Sequence, residues 1–165
     1  MELLFDDAAP GAAQLRLLED DDRETPARFL LLVVKDFAEL ERLPQVSPHF
    51  ALTIALDCAH VPNAEVLRVA SLLLARGLAY TCCWGAGCKA IHDAFELAHR
   101  GPGMPEPPPD ADAPRTTWHA QRPLEKALYY FHYCANPAPS YRANCRDYIV
   151  ATTARYAPRV RYYFS

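Results

Sequence analysis

FALTIALDCAHVPNAEVLRVASLLLARGLAYTCC, residues 50–83, decides the class of the fold. It begins with FALTIALD (50–57), a short continuous apolar run that reads as a strand buried on both faces. After CAHVPN comes AEVLRVASLLLARG, where Val66, Val69, Ala70 and Leu73 fall at i, i+3, i+4 and i+7 and so share one face of a helix. Asn63 can cap the start of that helix and Gly77 can close its end. LAYTCC (78–83) is then a second buried strand. A strand, a helix and another strand at this spacing make a parallel crossover unit.

The same alternation extends in both directions. Upstream, ARFLLLVV (27–34) is a branched apolar run bounded by Pro26 and by Lys35-Asp36, and it reads as a central strand. Downstream, CKAIHDAFELAHR (88–100) reads as a helix with Cys88, Ile91, Phe95 and Ala98 inward and with His92 and His99 on the flank. GPGMPEPPPDADAP (101–114) is too rich in proline for regular structure and is expected to be an exposed loop. RTTWH (115–119) is a further strand. PLEKALYYFHYCAN is a helix with Pro123 near its first position and Leu124, Ala127, Leu128 and Phe131 on one face. Beyond residue 137, SYRANCRDYIVATT reads as a helix or as a helix running into a strand, and RVRYYFS (159–165) alternates like an edge strand. No internal repeat is visible. The expectation is one α/β domain over residues 1–165, a three-layer Rossmann-like (flavodoxin/TIR-like) arrangement around a mainly parallel sheet of four to five strands.

Composition excludes several classes. The chain is 51% hydrophobic and 22% charged, as ordinary globular proteins are. A formal net charge of −3 without a basic stripe argues against nucleic-acid binding. The acidic run LEDDDRE (18–24) is expected to be a solvated loop or a strand edge. MELLFDDAAPG lacks the basic and apolar regions of a secretory signal, and no apolar run approaches the roughly 20 residues of a membrane span. The protein is therefore expected to be cytoplasmic, away from membranes, with its six cysteines held as thiols.

In sheets of this kind ligands bind outside the carboxyl ends of the strands. The expected strands lead there into Lys35 and Asp36, into Asp57, Cys58 and His60, into Cys83, Trp84, Gly85 and Cys88, and into Trp118 and His119. Three chemistries fit this set. Cys83, Cys88 and His92 offer thiolate and imidazole donors to a metal, zinc by their type, with Cys58, His60 or His119 to complete the shell. Cys88 in the first turn of a helix can act as a nucleophile, with His92 or His119 as base and Asp57 or Asp93 orienting it. Gly85-Ala86-Gly87 at a strand-to-helix turn can cradle an anion. Each has a structural counterpart: cysteines that fill a core, histidines satisfied by neighbours, and glycines that let the chain turn. For a binding site the candidates are Trp84, Gly85, Gly87, Trp118 and Asp36. Tyr129, Tyr130 and Tyr133, with Tyr162 and Tyr163, would suit an aromatic patch that meets a protein partner.

Two segments carry a resemblance. CxWGxxCxxxHDxFE, Cys82 to Glu96, and TTWHxxxPLEKALYYF, residues 116–131, together resemble a family of small uncharacterised bacterial proteins that form a domain of unknown function. The resemblance spans roughly the second half of the chain and implies a stand-alone bacterial α/β domain. It links Cys82, Trp84, Gly85, Cys88, His92, Asp93, Trp118 and His119 as one unit and brings no activity with it. The expected function is that of an accessory module binding a small ligand or a protein, and the alternative is a metal- or thiol-dependent hydrolase.

Overall fold

The apolar runs form the middle of a single sheet. The computed structural model describes residues 14–21, 26–44, 46–100 and 112–165. Six strands lie among them: β1 (Leu15–Asp21), β2 (Ala27–Val33), β3 (His49–Ala55), β4 (Leu78–Trp84), β5 (Arg115–His119) and β6 (Cys145–Thr152). Their order across the sheet is β1-β2-β6-β3-β4-β5. All neighbours are parallel except β1, which runs antiparallel to β2 along one edge. Phe50 to Ala55 of β3 and Leu78 to Cys83 of β4 are buried throughout, as unbroken apolar runs in a doubly covered sheet should be.

Helices cover both faces. On one face lie a 3-10 turn (Phe37–Arg42), α1 (Asn63–Ala75) and α2 (Cys88–Arg100). Val66, Val69, Ala70 and Leu73 of α1 and Ile91 and Phe95 of α2 pack there on Leu30, Leu52, Ile54 and Cys83. On the other face lie α3 (Leu124–Tyr133) and α5 (Ala157–Tyr163), whose Leu124, Leu128, Phe131 and Val160 cover Phe29, Leu31, Ala51 and Val150. A short α4 (Pro139–Arg142) precedes β6. The helix α1 begins at Asn63 itself, with Pro62 rather than Asn63 as its cap residue.

The sheet corrects the expected count of four to five strands to six, and the two ends of the chain carry the difference. RVRYYFS is not an edge strand. Its apolar contacts come from Ala157 and Val160, three residues apart, and Pro158 stands in the first turn, so residues 157–163 form α5. The strand lies earlier, at Cys145–Thr152, in the middle of the sheet between β2 and β3. SYRANCRDYIVATT thus takes the second of its two expected forms, a helix running into a strand, and the strand begins with charged residues. Asp147 is fully buried there, yet it accepts from Arg28 Nε at 2.9 Å and from the Ser47 amide at 2.8 Å. The acidic run is the edge strand β1 as far as Asp21. Of the proline-rich stretch, residues 101–111 lie outside the described residues. Among the described residues no helix is long and apolar enough to cross a membrane.

Candidate functional site

The site follows from how neighbouring strands end. The chain leaves β4 for α2 on one face of the sheet and leaves β5 for α3 on the opposite face. The two departing segments diverge and leave a crevice of about 470 Å³ between them, bordered by Asp57, Trp84, Gly85, Cys88, Lys89, His119, Gln121, Arg122 and Tyr156. Such a volume is that of a small-molecule site.

On the α2 side, the turn Gly85-Ala86-Gly87 is pressed onto the segment that follows β3. The Cys58 amide donates to the Ala86 carbonyl at 2.8 Å. Gly85 and Gly87 have φ of 105° and 77°, in the region that side chains with a Cβ rarely occupy. A Cβ on Gly85 would stand 2.4 Å from the Leu56 carbonyl oxygen, and one on Gly87 would stand 2.9 Å from the Ala59 nitrogen. These glycines are therefore required by the close approach of two backbones. Asp57 holds the same loop through Oδ1, which accepts from the Ala59 amide at 3.2 Å.

Cys88 occupies the first turn of α2 and is 4% exposed. Burial raises its thiol above the ordinary value, and this outweighs the backbone N–H groups of His119, Lys89 and Cys88 that favour the thiolate. Cys58 is pushed up to about 12 by burial, with Asp57 and Cys88 adding to the effect. The adjacent Cys82 and Cys83 are on opposite faces of the sheet. Cys82 packs toward α3 and is raised to about 12 by burial, eased by the hydroxyls of Thr117 and Thr53. Cys83 packs toward α2 and is raised well above its ordinary value, again by burial.

On the α3 side, the half-buried Trp84 is fixed by its indole N–H, which donates to the Arg122 carbonyl at 2.7 Å. Its ring meets Tyr156 edge to face at 5.2 Å. His119 lies against Tyr130, with ring centroids 4.9 Å apart, and its Nε2 is buried with no hydrogen-bond partner among the described residues. Burial lowers the proton affinity of this imidazole, and the charge of Arg122 lowers it further. Gln121 has φ of 55° and is the only non-glycine with a left-handed backbone among the described residues.

The residues expected to act together thus divide into two places. Asp57, Trp84, Gly85, Gly87, Cys88 and His119 border the crevice. His92 and Trp118 do not: Trp118 alternates with His119 along β5, so it points to the α2 face, where its ring meets His92 at 4.5 Å. His92 Nδ1 lies 3.1 Å from Asp93 Oδ1, and Lys89 pairs with Asp93 while sitting 5.2 Å from the Trp118 ring centroid. Asp36 caps the 3-10 turn, accepting from the Glu39 amide at 3.1 Å, and is not among the crevice residues. Among the described residues no three His, Cys, Asp or Glu side chains converge to hold a metal. Tyr129, Tyr133 and Tyr162 are exposed, whereas Tyr130 and Tyr163 are half-buried.

Gln121, Arg122 and Tyr156 border the crevice without being among the residues expected there. Tyr156 lies just beyond β6, next to the stretch RVRYYFS expected to be an edge strand. Gln121 and Arg122 precede Pro123 at the start of α3, and nothing in their local pattern distinguishes them from any solvated loop. A family model described as Domain of unknown function (DUF7684) matches residues 24–157. No curated protein and no solved structure matches the chain.

Proposed function

Since the chain belongs to the DUF7684 family, a domain of unknown function, its role rests on the crevice, and we propose that it is a binding module that holds a small ligand there. The observation that carries this reading is the divergence of the segments after β4 and β5 to opposite faces, which leaves about 470 Å³ lined by Trp84, Cys88, His119 and Tyr156. Doubly wound, Rossmann-like folds place their ligands at such a switch, outside the carboxyl ends of parallel strands. In that sense the domain is Rossmann-like, and the position of β6 between β2 and β3 is a feature of its own. A rigid aromatic wall and a few polar groups on its rim are what a recognition pocket needs.

The two tryptophans make the test direct, because Trp84 borders the crevice and Trp118 stands outside it, 43% exposed. In ¹⁵N-labelled protein their indole N–H resonances report the two places separately. A fragment library is expected to yield compounds that shift the Trp84 resonance saturably and leave that of Trp118 in place. Saturable shifts confined to Trp118, or none at Trp84, would overturn the reading.

The second reading is a thiol-dependent hydrolase, supported by Asp57, Cys88 and His119 bordering the same crevice. Against it stand the raised thiol and the contact made with Cys88 by the main-chain N–H of His119, while the His119 ring packs on Tyr130.

A further inference from the structure

We infer that the crevice takes a small aromatic oxyanion, an aryl ring carrying a phosphate or carboxylate, with its charge at Arg122 and His119 and its ring against Trp84 and Tyr156. This rests on the binding role proposed for the crevice and specifies the chemistry of the ligand.

Residues 119–122 are a short segment with three unusual properties. The Nε2 of His119 is buried without a partner among the described residues, and a buried polar nitrogen left alone is costly unless something else completes it. The guanidinium of the exposed Arg122 forms no hydrogen bond or ion pair among the described residues, although its carbonyl is engaged by Trp84. Gln121, between them, is held at φ 55°, a left-handed conformation that side-chain-bearing residues rarely adopt. The segment is thus pinned, strained and incompletely satisfied, and strain of this kind gathers at sites that bind.

The groups facing it favour negative charge. Lys89 lies in the first turn of α2 across the crevice, where backbone N–H groups point outward from the helix. Its ammonium is already shared with Asp93, so it contributes position more than free charge. The Arg155 guanidinium lies over the Tyr156 ring, 5.1 Å from its centroid, and adds a second cation near the aromatic wall. Among the described residues Asp57 is the one carboxylate on the crevice border, and it is engaged by the Ala59 amide. Burial, with the charge of Arg122, lowers the proton affinity of His119 and so favours the neutral imidazole, which can donate one hydrogen bond to an oxyanion without requiring a second charge. Arginine is the residue suited to a planar or tetrahedral oxyanion, through two parallel N–H groups. Edge-to-face Trp84 and Tyr156 then leave an aromatic surface for the ring of the ligand.

The test uses Trp118→Phe protein, in which Trp84 is the sole tryptophan, and follows its fluorescence. Phenyl phosphate, benzoate and benzyl alcohol are titrated into this protein and into the same protein carrying Arg122→Gln. At least one of the two anions is expected to bind about tenfold or more tighter than benzyl alcohol, and Arg122→Gln is expected to remove most of that preference. Because the side chain of Arg122 is exposed, its loss leaves the fold intact, which circular dichroism checks. Equal affinity for benzyl alcohol and the anions, or an anion preference that survives Arg122→Gln, would overturn the oxyanion assignment while the crevice remains a binding site. If none of the three compounds changes the fluorescence of Trp84, the aromatic-oxyanion assignment falls, while the binding role stands or falls with the fragment screen at the Trp84 resonance.

Discussion

Trp84 and Arg122 belong to segments that leave the sheet in opposite directions, and one hydrogen bond, indole N–H to main-chain carbonyl at 2.7 Å, joins them across the crevice. The bond sets the position of the loop that carries His119 and Gln121. Trp84→Phe keeps an aromatic ring beside Tyr156 and removes only the donor. The expected loss is about 1 kcal/mol in the free energy of unfolding, measured by urea denaturation, together with faster amide exchange at residues 120–122.

A second pair, Arg28 and Asp147, tests how the central strand tolerates its carboxylate. Asp147 is fully buried, while Arg28 is 35% exposed in its side chain. The two single losses are therefore unequal. Arg28→Met leaves a buried carboxylate with, among the described residues, only the Ser47 amide and is expected to cost about 3 kcal/mol, whereas Asp147→Asn leaves an arginine that reaches water and costs less. The double substitution Arg28→Met with Asp147→Leu is expected to recover part of the loss of Arg28→Met. Denaturation midpoints of the three variants check the order.

Alkylation separates a packing cysteine from a reactive one. Cys134 is exposed, whereas Cys88 is buried and its thiol is raised. With iodoacetamide at pH 8, peptide mapping is expected to show Cys134 modified first and Cys88 modified only as the protein unfolds. Preferential labelling of Cys88 in folded protein would favour the hydrolase reading instead.

Acid should weaken the fold through His119. Its proton affinity in the folded state is below the ordinary value of 6.5, so below that pH the unfolded chain binds the proton more readily. The stabilising contribution is fully present above pH 6.5 and is lost as the pH falls toward the folded-state value. His119→Gln is expected to flatten the dependence of the urea midpoint on pH below 6.5, relative to the parent protein. Comparison of midpoints at pH 7.5 and 5.5 measures it.

Much of this architecture can be read from patterns of apolar residues. The runs at 27–34, 50–57 and 78–83 fall on β2, β3 and β4 because their central apolar residues are buried on both faces, and the four apolar positions of α1 meet the sheet as their spacing requires. What the sequence conceals depends on partners far away along the chain. Arg146-Asp147 looks like surface until Arg28 and Ser47, more than a hundred residues earlier in one case, satisfy the carboxylate. In RVRYYFS a period of two and a period of three overlap, and packing against α3 selects the helix. At the site, the location at the strand ends is legible, and so are Asp57, Trp84, Gly85, Gly87 and Cys88. The membership of the two histidines is not, because it depends on alternation along a five-residue strand. His119 faces α3 and the crevice, while Trp118 draws His92 to the other face.

The place of β6 has a consequence for the way the molecule is made. Without residues 145–152 the sheet is two unconnected pieces, β1 with β2 and β3 with β4 and β5, because β2 and β3 touch only through the strand between them. As the polypeptide emerges during synthesis, the facing edges of β2 and β3 wait, unpaired, for a segment nearly a hundred residues beyond β3. The rate of folding is then tied to one late, long-range insertion, and a ribosome that pauses before it leaves two open strand edges facing the solvent.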